Sequence, residues 1–263
     1  MLIMAIHLTL PSGTQSGLFP RNTLSNFTVK LASTIEDGVN LECALSEIMY
    51  PSRFGNVREK YNTIVCTRKA STDQHKRIVI KVPAGFYETI RGLIDAIDRA
   101  GLSAIKKEDK RAIIITLNKN NRIIVTPHYQ WSVQFGGDIS ALFGFRVIDG
   151  HSESITRRTV GDYHATLTGG MSEMYVYSDI VKDQPVGGGE APLLRVITLD
   201  RTHPIKESAS TVFFPRYFMP LRSPTIDTVN IQLRDSSGEF MHFEQGEVTI
   251  VLDIRRRGSV EAI

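Results

Sequence analysis

The sequence predicts a mainly β protein: an elaborated single jelly-roll sandwich with one amphipathic helix in an insertion. Three observations carry that prediction. Apolar residues recur with a period of two along most of the chain, a single stretch carries a helical period, and Gly, Asn and Pro fall between the short apolar runs.

Taken in order, Ile6, Leu8 and Leu10 alternate with polar neighbours in a run over about 3–10, and Phe27, Val29 and Leu31 alternate with Asn26, Thr28 and Lys30. Similar runs occupy about 39–49, 61–67, 76–82, 112–117, 121–126, 131–135, 173–181, 192–199 and 209–214. Val229, Ile231 and Leu233 form another, and Val248, Ile250, Leu252 and Ile254 close the series. Each reads as a strand with one buried and one wet face. Asn118-Lys119-Asn120-Asn121 and Asp235-Ser236-Ser237-Gly238 read as hairpin turns. A helix is expected over Phe86–Ala100, because Ile90, Leu93, Ile94 and Ile97 share a face and Gly101 stands at the expected stop. A shorter helical turn is expected over Ile139–Phe143.

Strands without alternating helices exclude a doubly wound parallel sheet and favour a sandwich. One jelly roll needs eight strands and two need about sixteen, so about thirteen candidates imply one roll with an insertion. The domain is therefore expected to span 1–263, with the helix and the three strands after it forming an α+β insertion at about 84–147.

Composition narrows the function. The 263 residues are 41% apolar and 22% charged, which excludes a disordered chain or a collagen-like repeat. Lys plus Arg (31) against Asp plus Glu (28) leaves +3, too little for a surface that coats DNA throughout. Cys43 and Cys66 cannot build a disulfide framework, and their apolar surroundings predict buried free thiols. Met1–Leu10 lacks a basic region and a cleavage site, and no run approaches the roughly 18 apolar residues of a membrane span. The expectation is a soluble, non-secreted protein, on which the Asn26-Phe27-Thr28 glycosylation sequon stays idle.

Catalytic signals are weak. No Walker A, His-Glu-x-x-His, Gly-x-Gly-x-x-Gly or Gly-x-Ser-x-Gly pattern occurs. Gly187-Gly188-Gly189 precedes Glu190, Ala191 and Pro192 rather than a helix start, so it reads as a flexible loop and not a phosphate cradle. His151-Ser152-Glu153 and His242-Phe243-Glu244 have the spacing of half a facial metal triad, with His203 or His242 as a distant ligand. Seven histidines and 28 carboxylates produce such spacings by chance, and the loop positions of His151 and His203 favour solvated side chains. No catalytic residue, metal or cofactor is therefore expected. Trp131 alternates with Val133 and Phe135 and is read as core rather than as a ligand-stacking ring.

Basic clusters remain: Arg157-Arg158, Lys106-Lys107 with Lys110-Arg111, Lys76-Arg77, and Arg255-Arg256-Arg257. Most such runs are solvated surface. The last triplet ends a strand and leads into a short tail, where Arg255, Arg256 and Arg257 are the candidate contacts to nucleic acid.

Four ordered stretches resemble a known family: Leu18-Phe19-Pro20-Arg21-Asn22-Thr23-Leu24-Ser25-Asn26-Phe27-Thr28-Val29-Lys30-Leu31; Ala44-Leu45-Ser46-Glu47-Ile48-Met49-Tyr50-Pro51; Tyr175-Val176-Tyr177-Ser178-Asp179-Ile180-Val181 with Ala191-Pro192-Leu193-Leu194-Arg195; and Thr225-Ile226-Asp227-Thr228-Val229-Asn230-Ile231 running into Arg234-Asp235-Ser236-Ser237-Gly238. With Phe243-Glu244-Gln245-Gly246 and Arg255-Arg256, they resemble the minor capsid, or penton, protein of Polinton/Maverick elements and adintovirus-like viruses. Two departures from the family pattern stand out: an aromatic usual near Leu41 and an aspartate usual near Gly188 are missing here.

The resemblance implies a structural virion protein that forms homopentamers at the five-fold vertices of an icosahedral capsid, beside a double jelly-roll major capsid protein. It implies no catalytic residue. Packaged DNA, met through the basic C-terminus, is a further expected partner. Loops at about 151–171 and 183–191 read as too long for hairpins and are expected to carry subunit contacts, Arg157 and Arg158 pairing with Asp183 or Glu190 of the next copy. The alternatives are a jelly-roll binding module for carbohydrate or a receptor, with aromatics exposed in long loops, and a jelly-roll metalloenzyme.

Overall fold

The computed structural model describes residues 6–14, 17–68, 76–104, 112–168, 171–199 and 208–258. The chain is mainly β and divides into two compact units, one made of Met1–Phe54 with Met171–Ile263, the other of Gly55–Gly170. The strands, in chain order, begin with β1 (Ile6–Pro11), β2 (Asn26–Ile35) and β3 (Leu41–Pro51) in the first unit. The second unit holds β4 (Thr63–Arg68), β5 (Lys76–Lys81), β6 (Ile113–Leu117), β7 (Ile123–Pro127), β8 (Trp131–Phe135) and β9 (Thr159–Val160). The first unit resumes with β10 (Glu173–Ser178), β11 (Gln184–Val186), β12 (Gly189–Ala191), β13 (Leu193–Thr198), β14 (Ser208–Val212), β15 (Met219–Pro220), β16 (Ile226–Arg234) and β17 (Thr249–Arg256).

In the first unit the strands pair as β1-β17-β3-β14 and as β13-β10-β16-β2, all antiparallel. Leaving aside the short β11, β12 and β15, these are the first, eighth, third and sixth strands in one sheet, and the fifth, fourth, seventh and second in the other. That interleaving is the jelly-roll order. The period-two apolar residues of both sheets meet in one core, with Leu10, Phe27, Ile48, Val176, Ile231 and Ile250 all buried. The register follows the same pattern: Phe27 stands opposite Ile231, and Val29 opposite Val229.

All thirteen expected strands are present. The segment 183–191 is a correction: it is not an open loop too long for a hairpin but contains one, since β11 and β12 pair directly. Gly187, at φ 59°, makes the turn that a side chain would strain.

The second unit has two three-stranded sheets, β5-β4-β8 and β6-β7-β9, with α1 (Ile90–Ala104) and α2 (Gly137–Leu142). Its separate core gathers Ile64, Ile80, Leu93, Ile97, Val125 and Phe135, and Trp131 belongs to it. This unit exceeds the expected insertion at about 84–147, because β4 pairs with β8 and draws β5 with it. The helix is also displaced. Thr89 Oγ1 accepts a hydrogen bond from the Gly92 amide at 2.9 Å, so the helix starts at Ile90, four residues later than expected. Gly101 is no stop; it is buried within the helix, where an added Cβ would lie 3.5 Å from Ile80 Cδ1.

Cys43 and Cys66 are buried free thiols. Burial pushes Cys66 up to about 12, and burial with the nearby Asp253 carboxylate raises Cys43 further still.

Candidate interaction site

Three of the four motif stretches converge on the outer face of the β13-β10-β16-β2 sheet. Alternation turns Phe27, Val176, Val229, Ile231 and Leu233 inward and leaves Asn26, Thr28, Tyr175, Tyr177, Asn230, Gln232 and Arg234 half-buried outside. The outer polar groups are joined in a directed relay. Arg234 donates to Gln232 Oε1 through Nε at 3.0 Å and Nη2 at 2.9 Å, and Gln232 Nε2 donates to Asn230 Oδ1 at 3.2 Å. Asn230 Nδ2 in turn donates to Asn26 Oδ1 at 3.1 Å and to Thr28 Oγ1 at 3.0 Å. Asn22 secures the start of β2, its amide donating to Thr28 O and accepting from Thr28 N, both at 2.9 Å.

Beside this relay lies a cleft of about 340 Å³, bounded by Tyr177, Ser178 and Asp179 from the end of β10, by Ala191 and Pro192, and by Arg222. The rings of Tyr175 and Tyr177 stack nearly parallel, 14° apart with centroids 6.4 Å apart. Asp179 Oδ1 accepts from the Asn230 amide at 2.8 Å. Loss of surrounding water raises the Asp179 carboxyl above its ordinary value, against the lowering effect of that bond and of Arg222. Among the described residues the buried Ser178 hydroxyl, on the core face of β10, has no hydrogen-bond partner. None of these side chains stands out in the sequence as a site; alternation turns Tyr175, Tyr177 and Asn230 outward and Ser178, opposite Ile231, toward the core.

A second surface lies at the edge strands β13 and β14. The Arg195 guanidinium sits between the rings of Phe213 and Tyr217, 4.3 Å from each centroid, and Nη1 donates to Pro215 O at 3.1 Å. Around this clamp Phe214 is 84% exposed, Val212 68% and Tyr217 54%. Large apolar side chains exposed this close together along the chain make a candidate interaction surface.

The outer face of the other sheet holds ion pairs. Asp253 is buried and pairs with His7 Nδ1 and with Arg216 Nε at 2.6 Å. Arg255 donates to Glu42 Oε1 at 2.7 Å, and its guanidinium lies 3.5 Å from the centroid of Phe218. Of the basic triplet, Arg256 and Arg257 are exposed and Arg255 is occupied within the fold.

Asp183, just before β11, and Glu190, within β12, are both exposed, but Asp183 already accepts from Arg222 Nη2 at 2.5 Å. Arg157 and Arg158 are exposed in the second unit, just before β9. His151 and Glu153 are exposed there, and His242 and Glu244 in the first unit. His203, Lys106, Lys107, Lys110 and Arg111 lie outside the described residues. Among the described residues no three His, Cys, Asp or Glu side chains cluster as metal ligands, and no helix is long and apolar enough to cross a membrane.

No protein-family model matches this sequence, and no curated protein matches it. Among solved structures, the chain is similar to the mavirus penton protein, at 14% identity and a TM-score of 0.49. The alignment covers 97% of this chain and 100% of that one.

Proposed function

We propose that this chain is a minor capsid protein, a penton, that closes into a homopentamer at the five-fold vertices of an icosahedral capsid. The observation that carries this reading is the strand order of the first unit. Jelly rolls are the architecture of viral capsid and lectin domains, and the four stretches that resemble the penton family fall on β2, β3, β10 and β16. The protein's role is structural, its place is the virion, and its further partners are a double jelly-roll major capsid protein and packaged DNA.

A five-fold ring repeats one head-to-tail contact that joins two different patches on each copy. The apolar corner at Val212, Phe214 and Tyr217 supplies one patch. Arg157 and Arg158 are proposed as polar contacts to the next copy, with Glu190 the better acceptor because Arg222 already holds Asp183. Native mass spectrometry of the purified chain tests the reading. Particles of five chains are expected; a stable dimer or trimer overturns it, and a single chain at micromolar concentration overturns the preformed ring.

The basic C-terminus carries the proposed contact to DNA. Because Arg255 is engaged by Glu42 and Phe218, Arg256 and Arg257 neutralise about two phosphates, and affinity for duplex DNA should fall with salt with a log–log slope of about −2. Replacing both by alanine is expected to abolish binding. Salt-insensitive binding, or binding unchanged in the double variant, overturns the contact.

A further inference from the structure

We infer that the cleft on the outer face of the β13-β10-β16-β2 sheet binds a neutral saccharide. Its volume, about 340 Å³, lies at the lower end of the range for small-molecule sites, roughly 300–1,000 Å³. Tyr177, held parallel to Tyr175, offers a flat apolar ring of the kind that covers the C–H face of a pyranose. The Asn230–Gln232–Arg234 relay orients its amides before a ligand arrives, so little ordering is left for the binding step. Asp179 is bonded to the Asn230 amide through Oδ1, which leaves Oδ2 to accept from a hydroxyl.

Charge decides the class of ligand. Arg222 is paired with Asp183, and Arg234 is committed to Gln232 and to Gly238 O while lying 4.0 Å from the Phe240 ring centroid. With Asp179 also present, no surplus cation remains for a phosphate or an acidic sugar. A ligand whose groups both donate and accept, as sugar hydroxyls do, fits the wall. This inference goes beyond the vertex reading and stands whether or not a pentamer forms.

Saturation-transfer and chemical-shift NMR on the full chain tests it, with the methyl glycosides of glucose, galactose, mannose and N-acetylglucosamine as probes. N-acetylneuraminic acid and inorganic phosphate serve as anionic comparisons. At least one neutral glycoside is expected to bind at millimolar concentration, shifting Tyr177 and Gln232 resonances. Tyr177→Ala and Asp179→Asn should each weaken it about tenfold or more, with circular dichroism unchanged. Binding by none of the four glycosides, binding of the anions alone, or affinity that survives both substitutions overturns the inference.

Discussion

In the proposed pentamer, Phe214→Asp is expected to break the five-chain particle into single folded chains. Phe214 is 84% exposed in the described chain, so the substitution removes nothing from the core and should change the stability of the isolated chain by no more than about 0.5 kcal/mol. Its effect in a ring would be far larger. A phenylalanine buried at the centre of a contact, beside Tyr217 and the rigid Arg195 clamp, has the make-up of an interface hot spot worth about 2 kcal/mol or more. That is roughly thirtyfold in the constant of each contact, and a closed ring loses it at all five. The aspartate adds a buried charge with no partner. Native mass spectrometry and sedimentation read the result at equal concentration. A pentamer that persists in Phe214→Asp places the contact elsewhere and overturns this corner as the assembly surface.

Asp138→Ala should destabilise the second unit by about 3–5 kcal/mol. The Asp138 side chain is 9% exposed and stands in the first turn of α2, where a carboxylate suits the helix dipole. It accepts three groups of one residue: the Arg58 amide at 2.7 Å, Nη2 at 2.7 Å and Nε at 3.1 Å. Truncation therefore removes the carboxylate from the Arg58 guanidinium and from its backbone amide at once, which costs more than the loss of an exposed ion pair. Asp138→Asn, which keeps an acceptor of the same shape, should lose less. Urea unfolding is the measurement, and a loss under about 1 kcal/mol for the alanine variant would show that the pair contributes no more than a surface bridge.

The basic triplet shows where a reading of charge alone fails. Arg255, Arg256 and Arg257 are equivalent in sequence, yet strand β17 turns Arg255 onto Glu42 and Phe218 and leaves the next two in water. The hairpin β11–β12 is a similar case. Three consecutive glycines read as slack, whereas Gly187 is the turn residue of a paired ribbon. The polar cleft was legible only as the wet side of three strands, because Tyr177, Asp179 and Asn230 carry no motif of a known chemistry.

Local pattern determined what depends on near neighbours. Period-two alternation located every long strand, buried Phe27, Val229 and Ile231, and placed Trp131, Cys43 and Cys66 in cores. It works because successive side chains of a strand point to opposite faces whatever the strand later pairs with. Tertiary structure decided the rest: which strands share a sheet, that β4 and β5 join the second unit, and which charges meet. His7 finds Asp253 across 246 residues, Arg255 finds Glu42 across 213, and Arg58 finds Asp138 across 80. Such partners leave no periodic trace in the chain, because a contact closed through space depends on sheet order and register rather than on spacing along the sequence.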